Sequence, residues 1–391
     1  MIFMPFELTE IQKNIVEAAK KISSKFDDNY WLDLDLKSEF PFEFYNEVAK
    51  SGWLGMCMPE EYGGANLGIQ EAALFMQNIA RNGGGMSAAS SIHINIFGPH
   101  PIVVYGTKTQ KKNWLPNLIS GNDKTCFGVT EPDAGLDTGK IKTTASKIQG
   151  GYLINGQKIW TSTAKIANKI LLLARTSELG ETKNNIDGLT LFYTDFDRTK
   201  IEVREIKKMG RGSVDSNQIF FDNLEISEED RIGEEGKGFR YILDSLNPER
   251  ILIAAEALGI GKDALEKAVK YANERIVFDR PIGKNQSIQH PLAELWIELE
   301  AAELLISKAA YQYDKGQNSG GLANAAKYYA AEVAFKTATQ AVVTLGGMGY
   351  AKEYHVERLL RESLIPKLAP VSSQMILNYI SEKILHLPRS Y

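Results

Sequence analysis

The sequence predicts a mainly α-helical protein with a central β domain: an N-terminal α-helical domain over 1–123, an antiparallel β-barrel or sandwich over 124–235, and a C-terminal four-helix bundle over 236–391. Two changes of hydrophobic period carry this reading. Apolar residues recur at helical spacing up to residue 123, alternate with period two from Lys124, and return to helical spacing from Phe239. Length is the third observation, because 391 residues suit two or three cores better than one.

In the first domain, Thr9-Glu10-Ile11-Gln12 has capping-box spacing, with Ile11, Ile15, Ala19 and Ile22 following on one face. Gln70–Ala80 and Lys108–Leu118 read as further helices, and Pro59–Gly64 and Gly83–Gly85 as breaks. In the second domain, Ile170–Ala174, Leu189–Tyr193 and Gln218–Phe221 are short aliphatic or aromatic runs between polar turns. Asn155-Gly156 predicts a hairpin turn, since this pair tolerates positive φ. Ser227–Gly238, charged and containing three glycines, marks the exit. The third domain shows its strongest helical stripes over Ile251–Ala272, Pro291–Tyr313 and Leu322–Leu345. Stripes this broad point to association between subunits.

Composition excludes several classes. With 43% hydrophobic and 24% charged residues the chain reads as an ordinary globular protein, and a formal charge of −4 gives nucleic acid no electrostatic footing. Cys57 and Cys126 stand far apart, which fits a reducing compartment. The opening Met1–Glu7 lacks a basic leader region, and no apolar run approaches the ~18 residues of a membrane span. A cytoplasmic protein is expected. The five histidines show no ligand spacing, so no metal site is expected. Gly259-Ile260-Gly261 resembles a dinucleotide fingerprint but follows no strand, and it is assigned to close helix packing.

The chemistry concentrates in Thr125–Thr138 and in Gln157-Lys158-Ile159-Trp160-Thr161-Ser162. Gly128 and Gly135 would let something flat or anionic approach the backbone. Trp160 beside two hydroxyls suits a flavin ring, although a hairpin tryptophan can equally fill core. Gly346-Gly347-Met348-Gly349 closes a long helix, either as a left-handed C-terminus or as a place of close approach to a cofactor.

The ordered set of motifs resembles the acyl-CoA dehydrogenases. It comprises Pro59–Gly64, Gly106–Lys111, Val129-Thr130-Glu131-Pro132-Asp133-Ala134-Gly135, Asn155–Trp160, Gly233–Phe239, Glu249-Arg250, Arg275–Phe278, Gln286, Gly346–Gly349 and Arg361. The resemblance covers nearly the whole chain and implies one non-covalent FAD per subunit of a homotetramer, with a role in fatty acid metabolism. Phe127, Val129, Thr130, Trp160 and Ser162 are then expected at the isoalloxazine. Arg275, Phe278, Gln286, Gly346, Gly347 and Gly349 are expected at the ADP half, partly across a subunit interface. The implied reaction removes an α-proton and a β-hydride from an acyl thioester and passes the electrons to an electron-transfer flavoprotein.

The sequence departs from that pattern where the family most often carries its base. Aligning on Ser372-Ser373-Gln374 puts Pro370 in place of the glutamate, and proline accepts no proton. Some members carry the base just before a motif arginine instead, which here makes Glu249 the expected base, with Arg250 at the substrate. Asn247-Pro248-Glu249 also reads as a helix start, where the dipole would lower the Glu249 pKa while burial would raise it. Leu136 and Val343 replace polar family residues near the cofactor or the CoA, which leaves a carrier-protein thioester open beside acyl-CoA. The loss of the customary base also leaves open an enoyl-thioester reductase, a flavin oxidase or monooxygenase, and a catalytically silent flavin-binding homologue.

Overall fold

The computed structural model describes residues 7–390; Met1–Phe6, part of the stretch from which no leader is read, lie outside them. The chain opens with helices α1 (Glu10–Ser23), α2 (Asp28–Lys37), α3 (Phe42–Lys50), α4 (Ile69–Ile79), α5 (Gly85–Ile96), α6 (His100–Tyr105) and α7 (Lys108–Ile119). The expected capping box is formed: Thr9 Oγ1 accepts from the Gln12 amide at 3.2 Å, and Gln12 Oε1 from the Thr9 amide at 3.1 Å. Ile15, Ala19 and Ile22 are buried, while Ile11 on the same face is exposed.

Eight strands follow: β1 (Thr125–Gly128), β2 (Thr144–Ile148), β3 (Gly151–Ser162), β4 (Lys169–Arg175), β5 (Leu189–Asp195), β6 (Ile201–Glu205), β7 (Ser216–Ser227) and β8 (Arg231–Ile232). They form one sheet in the order β6-β7-β3-β2-β4-β5-β8, with β1 also paired to β4. The β1–β4 and β2–β4 contacts are parallel, so the sheet is mixed rather than wholly antiparallel.

Asn155-Gly156 is not the hairpin turn. β3 runs straight through it, and the chain reverses earlier, between Ile148 and Gly151, with Gly150 at φ 81°. Asn155-Gly156 instead marks a shift in the β3–β7 register. Gly156 stands at φ 144°, and a Cβ there would lie 2.6 Å from Thr143 Oγ1. The pair that signals a turn here serves a bulge and a close approach.

The last third begins with α8 (Gly238–Glu274), a helix of 37 residues. A two-stranded ribbon, β9 (Ile276–Val277) with β10 (Arg280–Pro281), leads into α9 (Gln286–Asp314), α10 (Gly320–Leu345), α11 (Val356–Ser363), α12 (Ile365–Leu368) and α13 (Ser373–Lys383). α8 does not start at Asn247; it passes through Pro248. Proline deprives the carbonyl four residues back of its amide partner, and that residue, Asp244, is exposed, so water can serve it. Gly259 and Gly261 are packing glycines: a Cβ would stand 2.3 Å from Gln77 O at the first and 2.7 Å from Leu299 Cδ2 at the second. One apolar core joins α1–α5 to α8–α11, and a second lies between α6, α7, the start of α8 and one face of the sheet. No helix among the described residues is long and apolar enough to cross a membrane.

Candidate active site

The two motif halves meet through Glu131 and Lys158. The Ile159 amide donates to Thr130 O at 2.9 Å, and Lys158 Nζ reaches Val129 O at 3.0 Å and Glu131 Oε1 at 2.9 Å. Glu131 also accepts from the amides of Lys142, at 2.7 Å, and Thr143, at 2.9 Å. Burial would raise the Glu131 carboxyl, but the Lys158 charge and these hydrogen bonds hold it below the usual carboxylate range. Burial brings the Lys158 ammonium down to about 8 against the pull of Glu131, so the pair is charged at neutral pH.

This clamp presents Phe127, Val129 and Thr130, all half-buried, beside Trp160 and Ser162. Trp160 has φ 61° and is 57% exposed, which a core-filling tryptophan would not be. Gly128 does not open a path for a ligand: its absent side chain faces Ile170 and Leu172 in the sheet interior, 3.1 and 3.2 Å away. Gly135 has open space where its Cβ would be.

A residue that sequence reasoning missed, Arg211, stands behind Ser162. Its Nη2 donates to Ser162 Oγ at 3.0 Å and Ser216 Oγ at 2.9 Å, and its Nη1 to Ser90 Oγ at 3.1 Å. In Lys207-Lys208-Met209-Gly210-Arg211-Gly212 it looks like one more charge in a solvated turn. The flanking glycines were the available signal. A Cβ on Gly212 would meet Asp35 O at 2.5 Å, so this turn is pressed against α2.

Glu249 and Arg250 sit together within α8, both half-buried. Burial raises the Glu249 carboxyl above its ordinary value, opposed by the charges of His93 and Arg250. A mid-helix position removes the helix-dipole effect expected of a first turn, and burial decides the direction. Arg250 Nη1 donates to Asn247 Oδ1 at 3.0 Å, and its Nε is buried without a partner. Behind them, His93 Nδ1 lies 2.6 Å from Glu256 Oε1. The His93 imidazole is held above its usual pKa, because the Glu256 carboxylate outweighs the effect of burial. Pro370 follows α12, and the next carbonyl, Val371 O, accepts from buried Lys327 at 2.6 Å.

The remaining sequence-predicted residues lie at or between the ends of α8, α9 and α10. Arg275, Phe278 and Gln286 are exposed, Phe278 by 93%. Gly346, at φ 62°, and Gly347 have nothing within 4 Å of a would-be Cβ. Gly349 differs, since its Cβ would meet Val342 O at 2.4 Å, so it serves the chain's own packing. Among the described residues no group of three or more potential ligands could hold a metal.

Residues 9–122, 126–224 and 236–385 match, in turn, the N-terminal, middle and C-terminal domains of acyl-CoA dehydrogenase. The chain is 36% identical to acyl-CoA dehydrogenase FadE12 of Mycobacterium tuberculosis over 392 aligned positions, covering 98% of both. It is 35% identical to a 3-(aryl)acrylate reductase of Clostridium sporogenes, over 90% of this chain and 93% of that one. Among solved structures, butyryl-CoA dehydrogenase from Megasphaera elsdenii superimposes with a TM-score of 0.92 at 30% identity, covering 98% of this chain and 100% of the other.

Proposed function

The chain belongs to the acyl-CoA dehydrogenase family, FAD-dependent oxidoreductases acting on CH–CH bonds, and on that premise we propose that it dehydrogenates an acyl thioester at Cα–Cβ with Glu249 as the base. The observation that carries this reading is the half-buried Glu249 carboxyl, raised by burial, in a chain whose Pro370 offers no carboxylate in the C-terminal loop. A carboxylate desolvated in this way is a stronger base at neutral pH than one in water.

The residues present fit a flavin. Trp160 and Phe278 leave large aromatic faces uncovered, Gly346 and Gly347 leave backbone open, and the Ser162 hydroxyl has no acceptor for its hydrogen among the described residues. FAD, when bound, supplies the oxidant that accepts the β-hydride. Phe127, Val129, Thr130, Trp160 and Ser162 would hold its ring system. Arg275, Phe278, Gln286, Gly346 and Gly347 would serve the ADP half, partly from a neighbouring subunit of a homotetramer. Arg250 would orient the substrate, acyl-CoA or a carrier-protein thioester, while Glu249 takes the α-proton. Exclusion of water would strengthen each of these contacts. An electron-transfer flavoprotein is the proposed acceptor and the cytoplasm the proposed setting; Cys57 and Cys126 are both unpaired.

The similarity to a 3-(aryl)acrylate reductase supports a second reading in which the same pocket runs toward the saturated product. Glu249 would then return a proton to Cα. Anaerobic mixing separates the two. Bleaching of the oxidised flavin by saturated acyl-CoAs supports dehydrogenation. Reoxidation of the dithionite-reduced protein by enoyl thioesters, with no bleaching by saturated ones, supports the reductase. A flavin that answers neither overturns both.

A further inference from the structure

Arg211 occupies a position that its immediate surroundings explain only in part. It lies between β6 and β7 in a turn pinned on two sides: Arg361 Nη1 donates to Met209 O at 3.0 Å, and the Gly212 amide to Asp35 Oδ1 at 2.8 Å. The Arg211 backbone is held at φ 57° and its Nε is buried without a partner. Its terminal nitrogens meet three hydroxyls from three elements, Ser90 of α5, Ser162 of β3 and Ser216 of β7. Ser162 and Ser216 are opposite each other in the β3–β7 ladder, so one nitrogen serves both. Among the described residues no carboxylate forms an ion pair with this guanidinium; Asp215, Glu256 and Glu362 act on it only from beyond contact distance.

Guanidinium nitrogens donate and never accept. Each serine oxygen facing Arg211 is therefore an acceptor on that side, and its own hydrogen must point elsewhere. For Ser162, half-buried and two residues beyond the exposed Trp160, elsewhere is away from the Arg211 side. A hydroxyl that accepts a charge-assisted bond is also a stronger donor than a free one. We propose that Arg211 is a positioning residue that fixes Ser162 as a hydrogen-bond donor toward the flavin, its charge acting through that hydroxyl to favour the electron-rich, reduced cofactor. This inference rests on the reading of Ser162 as a flavin-side residue.

The test is the midpoint potential of the FAD-loaded protein, measured anaerobically against a reference dye without substrate. Arg211→Gln is expected to shift the oxidised-to-reduced ratio at a fixed poise about tenfold toward oxidised, close to 30 mV for a two-electron couple. In a Ser162→Ala background the same substitution is expected to add less than twofold. Arg211→Lys, which keeps the charge but cannot span the serines, is expected to fall between; it replaces the Gln variant in the comparison if that variant does not retain flavin. An unshifted potential in either Arg211 variant, or a tenfold shift that persists without the Ser162 hydroxyl, overturns the proposal. A staple that merely holds three elements together would lower stability or flavin content and leave the potential of the loaded fraction unchanged. Because no thioester is used, failure here is separable from failure of the dehydrogenase reading; a protein that takes up no flavin sinks both.

Discussion

Lys158 Nζ lies 2.9 Å from Glu131 Oε1, with the lysine fully buried and the glutamate nearly so, and this contact helps join the two motif segments that line the candidate active site. Both charges are out of water, and each has further partners that make the arrangement tolerable. Lys158→Met leaves the Glu131 carboxylate buried without its paired cation. The expected cost is about 3–5 kcal/mol of unfolding free energy, with a matching fall in bound flavin per chain. Urea denaturation and the flavin-to-protein absorbance ratio check it.

Gly156 fixes the bulge that carries β3 toward Trp160. At φ 144°, with Thr143 Cα 2.7 Å from a would-be Cβ, Gly156→Ala is expected to cost about 1–3 kcal/mol, read as a lower denaturation midpoint at unchanged slope. Gly150→Ala, in the true turn, meets nothing within 4 Å and pays only for its backbone angle, so it should cost less.

Asp263 is buried on α8, where burial pushes its carboxyl up to about 6 despite the bond to Lys267 at 3.0 Å. Its folded pKa lies above its unfolded one, so between about 4 and about 6 the native state holds more protons. The Asp263 contribution to stability therefore falls as pH rises through that window and is constant above it. Asp263→Asn removes this decline. The stability of the variant relative to the parent should rise by on the order of 2–3 kcal/mol from pH 4 to pH 6 and then level off, as followed by urea titrations at each pH.

The order of helical, sheet and helical parts is legible because periodicity survives wherever an element has one buried face, as in Ile15, Ala19 and Ile22 of α1. Local signals for chain direction failed where tertiary contacts overrode them. Asn155-Gly156 is shaped by Thr143 across the sheet, and Pro248 is absorbed into α8, where Asp244, four residues back, is exposed. The residues proposed for the isoalloxazine were readable as a motif, and their mutual contacts were not. Arg211 stayed invisible because two of its three serine partners, Ser90 and Ser162, come from distant parts of the chain.

The raised Glu249 carboxyl also sets a pH dependence. A base must be deprotonated to act, so the rate of flavin reduction by a saturated thioester should climb with pH through a midpoint above the usual carboxylate range and then level off. Stopped-flow absorbance between pH 5 and pH 9 reads that midpoint; a flat profile would place the proton elsewhere.

Glu249→Gln is the most direct test of the central claim. It keeps the size of the side chain and removes its ability to take a proton. Single-turnover flavin bleaching by a saturated acyl-CoA should slow by roughly 10²–10⁴-fold in the FAD-loaded variant while thioester binding is kept. Bleaching at the parental rate would contradict the assignment of Glu249 as the base.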